Sequence, residues 1–118
     1  MKQFRVYQIN FQDAPVALLS WITLLSRENK ENYAVVTAYI FDKIFKKTAF
    51  LETDDKEEVF HICQNIDDNW LNNPILTPYV SEWASLSVGD LVIENDKIYW
   101  IIMPYGWFDA SEFFNRWR

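Results

Sequence analysis

The sequence predicts a single α+β domain spanning residues 1–118, with a small antiparallel sheet packed against two or three helices. Three observations carry this. Apolar residues alternate with period two near both ends of the chain, and between them run stripes of helical spacing opened by Asp N-cap signals. The composition is that of a chain with a core: half of its 118 residues are hydrophobic, and nine Phe, six Tyr and six Trp stand against only two Gly. Disorder requires few aromatics and low hydrophobicity, and this length is that of one domain. No internal repeat or second domain is evident.

The first strand is expected over 3–11, where Tyr7, Ile9 and Phe11 alternate within a Phe-, Val- and Ile-rich run. Asp13 followed by Ala14-Pro15 then opens a helix over 15–26, with proline in the first turn, where its missing N–H costs nothing. Leu18, Trp21, Ile22 and Leu25 form its apolar stripe. Residues 33–45 fit two patterns. Tyr33, Val36, Ile40, Phe41 and Ile44 follow helical spacing, whereas 35–41 is β-rich, and length favours helix. A short strand follows at 48–52.

Asp54 and Glu57 have capping-box spacing and start a helix over 55–66, with Asp54, Asp55, Glu57 and Glu58 at the positive end of its dipole. Val59, Phe60, Cys63 and Ile66 give it an apolar face. Asp67-Asp68-Asn69 ends the pattern, and Pro74 and Pro78 mark an irregular segment to about Trp83, longer than the usual connection of about 4–6 residues. Strands at 88–94 and 97–103 form a hairpin around Asn95-Asp96, where Asn suits a positive φ. The run 98–103 is apolar on both faces, which places it inside a sheet covered on both sides. Pro104-Tyr105-Gly106-Trp107 ends that strand, and Gly106 lets Trp107 fold back over the sheet. Asp109 and Glu112 then open a short helix bearing Phe113, Phe114 and Trp117.

Composition closes off several chemistries. Gly89 and Gly106 are the only glycines, so the glycine-rich cradles of dinucleotide and P-loop sites are excluded. His61 and Cys63 are the only residues of their kinds, and two positions apart on a helix they point to nearly opposite faces, so they make neither a metal pair nor a nucleophile–base pair. Asp67-Asp68-Asn69 lacks the calcium-loop pattern, since Asn72 stands where glycine is needed and Pro78 where glutamate is needed. The sequence therefore assigns no catalytic residue, no cofactor and no metal ligand. No signal peptide is recognisable, and no apolar run approaches the about 20 residues that span a bilayer. With one cysteine, a reducing cytoplasm is the default location.

The net charge of −6 is unevenly placed. Residues 1–51 carry seven basic and four acidic side chains, while residues 52–112 carry thirteen acidic side chains against Lys56 and Lys97 alone. Such a surface keeps a hydrophobic domain soluble, or it meets a basic protein, even one that normally holds nucleic acid. Direct nucleic-acid binding is disfavoured, because backbone phosphates are repelled. Trp70, Tyr79, Trp83 and Trp107 fall in or near loops, where aromatics either cap the core or form an interface hot spot.

Residues 48–108 carry a recognisable order of features. Leu51-Glu52-Thr53-Asp54-Asp55-Lys56-Glu57-Glu58-Val59-Phe60 comes first, then Asn65-Ile66-Asp67, Trp70, Asn73-Pro74 and Thr77-Pro78. Ser85-Leu86-Ser87-Val88-Gly89-Asp90-Leu91-Val92, Tyr99 and Gly106-Trp107 complete it. This order resembles a loose family of small uncharacterised proteins from bacteriophages, plasmids and bacterial chromosomes, in which a Ser-x-Ser-Val-Gly-Asp-Val-Ile strand precedes a Tyr-containing strand and a Gly-Phe or Gly-Trp end. The hairpin turn here lacks the glycine often seen in the family, and strand 97–103 is bulkier. The resemblance implies an accessory protein of the kind carried on mobile elements, and supplies no mechanism. On the residues alone, Gly89 permits an unusual φ, and Asp90 is placed to bond a nearby backbone N–H.

The expected function is that of a non-enzymatic accessory protein that binds another protein, with Trp70, Tyr79, Trp83, Asp90 and Trp107 as its contact residues. A sharper form is an inhibitor that mimics nucleic-acid charge. The alternative is a small enzyme or ligand-binding domain using carboxylates and His61 in a pocket under the 67–84 loop. A homo-oligomer built on the aromatic surface is a third reading.

Overall fold

Six strands are laid down in chain order: β1 (Lys2–Ile9), β2 (Phe45–Thr53), β3 (Leu76–Pro78), β4 (Leu91–Glu94), β5 (Ile98–Met103) and β6 (Gly106–Asp109). They form one antiparallel sheet in the order β3-β2-β1-β4-β5-β6. Four helices with described bounds accompany it: α1 (Lys30–Tyr39), α2 (Phe41–Ile44), α3 (Lys56–Ile62) and α4 (Ser111–Trp117), with a 3₁₀ turn at Trp70–Asn72. The fold is α+β. The computed structural model describes residues 1–17, 19–20 and 29–117, so the predicted stripe of Leu18, Trp21, Ile22 and Leu25 lies outside the described residues. Among the described residues, no helix is long and apolar enough to cross a membrane.

The two-residue period of the strands divides the core in two. On one face Ile9, Leu91, Ile93, Ile101 and Met103 pack against Tyr33, Ala34 and Ala38 of α1, Phe41 and Ile44 of α2, and Phe114 of α4. On the other, Phe4, Val6, Ala49, Leu51, Val92 and Ile102 pack against Val59 of α3, Cys63, Trp70, Leu71, Leu76 and Leu86. Each fully buried large side chain here contributes about 1.5–3 kcal/mol. The sheet is thus covered on both sides, as the doubly apolar run 98–103 requires.

Local chemistry moves several boundaries. Asn29 caps α1, its Oδ1 accepting from the N–H groups of Glu31 and Asn32, so the helix starts three residues before the apolar stripe. It breaks at Ile40, rewinds as α2, and yields at Phe45 to β2, which pairs with β1 as far as Ile9 opposite Phe45. The expected helix over 33–45 is therefore two helices, and β2 starts three residues early. Asp55, one residue past the expected cap, caps α3 by accepting from Glu58 N at 2.9 Å, while the Glu58 carboxylate reaches back to Asp54 N and the Thr53 hydroxyl. The helix ends at Ile62 rather than 66, because the Cys63 carbonyl turns to accept Leu86 N.

Two strands replace segments expected to be irregular. β3 pairs with β2 at the sheet edge, where Pro78 forfeits no ladder bond that the sheet needs. Gly106, with φ 135°, does not fold Trp107 back over the sheet; it starts β6, which places Trp107 opposite Ile102. The strand expected from 88 begins only at Leu91, since Ser87–Asp90 is a turn closed by Asp90 N on the Ser87 carbonyl. The β4–β5 turn has positive φ at both Asn95 and Asp96, as a type I′ hairpin demands.

Candidate functional site

The antiparallel registers bring the end of β1 and the starts of β2 and β4 to one end of the sheet. There Asn10 Oδ1 accepts from the N–H groups of Gln12 and Asp13, closing a turn that leaves Phe11 exposed. Facing it, segments 63–70 and 81–85 are tied together by side chains. Asn65 accepts Trp70 N at 2.9 Å and donates to the Trp83 carbonyl at 3.0 Å, and Asn69 donates to the Ser81 carbonyl at 2.8 Å. The Trp70 indole N–H is shared between the carbonyls of Trp83 and Ala84, at 3.2 and 3.1 Å.

Between these walls lies an open groove of about 440 Å³, lined by Phe11, Gln12, Asn65, Asn69, Glu82, Trp83 and Ala84. Asp13 and Lys46 line a hollow that shares Gln12, Glu82 and Trp83 with it, and Asp67 and Asp68 line another that shares Asn69.

A buried polar network is joined to this wall. Gln8 Nε2 donates to the Ala84 carbonyl at 3.0 Å and to Asp90 Oδ2 at 3.4 Å. Asp90 also accepts from Ile9 N and Ser87 N, each at 3.0 Å. Gly89, with φ 93°, sits at the third position of the Ser87–Asp90 turn, and its carbonyl accepts the Tyr33 hydroxyl at 2.6 Å. Burial pushes the Asp90 carboxyl up to about 7, overriding the opposite pull of the N–H donors from Ile9, Ser87 and Gln8. Burial, and secondarily the Asp90 charge, pushes the Cys63 thiol up to about 12 and holds the Tyr33 phenol protonated.

The five residues marked out from the sequence do not form one surface. Trp70 is 3% exposed and Asp90 likewise 3%, so both lie inside the molecule and support the groove from beneath. Trp83 is half-buried and lines the groove, while exposed Tyr79 carries Lys47 Nζ 4.3 Å from its ring centre. Trp107 is half-buried on β6, with Lys56 Nζ 5.9 Å from its ring centre. His61 is exposed on α3 with its ring against Phe60 and does not line the groove. Phe11, Gln12 and Glu82 escape the sequence pattern: alternation places Phe11 in the first strand, whereas β1 ends two residues earlier. The Asp-Ala-Pro signal that follows Phe11 was the available clue that the chain turns there.

Among the described residues, no group of three or more His, Cys, Asp or Glu side chains is arranged to hold a metal ion. No family model matches the chain, and no curated protein or solved structure shows significant similarity to it.

Proposed function

We propose that this chain is a non-enzymatic accessory protein that acts by binding another protein, and that the groove between Phe11 and the 81–84 segment is where it does so. The observation that carries this reading is the construction of the groove. Two aromatic side chains line it: exposed Phe11 on the turn closed by Asn10, and half-buried Trp83 on a wall held by five side-chain hydrogen bonds from Asn65, Asn69 and Trp70. A preorganised aromatic surface of this kind loses little entropy on association. Glu82 in the groove's lining, with Asp13, Asp67 and Asp68 in the adjoining hollows, favours a basic partner and steers its approach. The resemblance of residues 48–108 to small phage and plasmid proteins fits an accessory role of this kind.

Among the described residues that line the groove there is no histidine or cysteine, and Glu82 is the one carboxylate, with no second carboxylate or base beside it. That favours binding over acid–base chemistry. The test is capture of partners from a lysate of the source organism at about 50 mM and about 500 mM salt, with Glu82→Gln and Phe11→Ser variants alongside. Capture that weakens steeply with salt and fails in both variants is expected. Capture indifferent to salt and to both substitutions overturns the reading.

A further inference from the structure

Among the described residues, six aromatic rings are already faced by the protein's own cations. Lys47 Nζ stands 4.3 Å from the centre of Tyr79, and Lys56 Nζ 4.3 Å from Trp100 and 5.9 Å from Trp107. Lys30 Nζ is 5.1 Å from Phe108 and 5.9 Å from Tyr105, and the Arg5 guanidinium is 5.6 Å from Phe50. Phe11 and Trp83, like exposed Tyr39, are not among these six. Among the described residues no cation faces either ring, and Glu82 beside them has no ion pair.

Building on the protein-binding reading above, we propose that the groove takes a basic segment of the partner. An arginine or lysine side chain anchors it, with its stem against Phe11 and Trp83 and its charge on Glu82. The chemistry is that of the intramolecular pairs, completed from outside. An aromatic face attracts a cation through its quadrupole, and a long cationic side chain buries its methylenes at the same time. A single exposed ion pair is worth little, so the site depends on two rings and a carboxylate acting on one group. Charge complementarity selects this occupant: Asp13 lines one adjoining hollow and Asp67 and Asp68 another, with Lys46 the one cation among the described lining residues of the two. The same carboxylates repel a phosphate backbone.

The test is an NMR titration of the whole chain with an oligo-arginine peptide and with its citrulline counterpart, which keeps the shape and removes the charge. Oligo-arginine is expected to shift the Trp83 indole resonance and the amides of Asn65 and Asn69, and citrulline is not. Glu82→Gln and Phe11→Ser, both surface substitutions that spare the core, should each weaken binding about fivefold or more. Shifts centred on Glu57 and Glu58 at the start of α3, or an affinity unchanged in both variants, overturn the proposal. If both variants abolish partner capture while oligo-arginine does not bind, the cationic anchor is wrong and the protein-binding reading survives. If oligo-arginine binds in the groove while capture is unchanged, the protein-binding reading is the one that fails.

Discussion

Asp90 Oδ1 accepts the backbone N–H of Ile9 at 3.0 Å, joining the residue before β4 to the last residue of β1. This bond lies in a site that is 3% exposed, where a carboxylate is costly. The folded protein therefore keeps Asp90 protonated up to about pH 7, whereas the unfolded chain releases that proton near pH 4. Between these values the folded state binds more protons at Asp90, so this residue's contribution to stability is fully present below about pH 4 and is lost as pH rises through the window. The ceiling on this loss is about 4 kcal/mol. Denaturant unfolding of the wild type should show stability falling from about pH 5 to about pH 8, with a much flatter profile for Asp90→Asn. Parallel profiles for the two proteins would contradict the assignment.

Gly89 is fixed by both its backbone and its surroundings. Its φ of 93° is one that side-chain-bearing residues rarely adopt, and an added Cβ would stand 3.0 Å from the Tyr33 hydroxyl and 3.1 Å from Ile9 Cδ1. Both neighbours are buried and cannot give way cheaply. Gly89→Ala should cost about 2–3 kcal/mol in equilibrium unfolding, and a loss below about 0.5 kcal/mol would contradict the geometry.

Cys63 is fully buried, and its thiol is pushed up to about 12. Since the thiolate is the reactive form, a disulfide reagent at about pH 8 should modify the folded protein only as fast as it opens. The same reagent should label the denatured chain at once. Rapid stoichiometric labelling of the folded protein is the contrary result.

Trp70→Phe removes the indole N–H that the Trp83 and Ala84 carbonyls share. Both carbonyls keep another donor, from Asn65 and Gln8, so neither is orphaned and the loss stays near one hydrogen bond plus a small cavity, about 1–2 kcal/mol. Faster amide exchange should accompany it at 81–84 and not in β4, as hydrogen-exchange mass spectrometry can show.

The fold was legible where one local signal acted alone. The 98–103 run announced a doubly covered strand, Asn95-Asp96 announced the hairpin, and Val88-Gly89-Asp90 announced both a positive φ and a backbone-bonding carboxylate. It was less legible where tertiary pairing overrode the pattern. β2 extends to Phe45 because β1 is there to pair with it, and β3 and β6 exist because an edge was open to them. The groove was the least legible part. Trp70 and Trp83 are both loop tryptophans in sequence, and only the donation of the Trp70 indole N–H to the carbonyls of Trp83 and Ala84 tells which ring is buried and which is presented. Phe11 joins Trp83 through a chain reversal at Asn10 that no spacing rule connects to residue 83.

The central claim is that Phe11 and Trp83 present the surface on which another protein docks. Its most direct test is photo-crosslinking from position 11, with a benzophenone amino acid replacing Phe11, in a lysate of the source organism. The control is the same probe at Ile75, which is also exposed but precedes β3 at the other end of that strand. A discrete crosslinked partner from position 11, lost in a Glu82→Gln background and absent from position 75, is the predicted result. Equal adducts from both positions, or none from position 11, would contradict the claim.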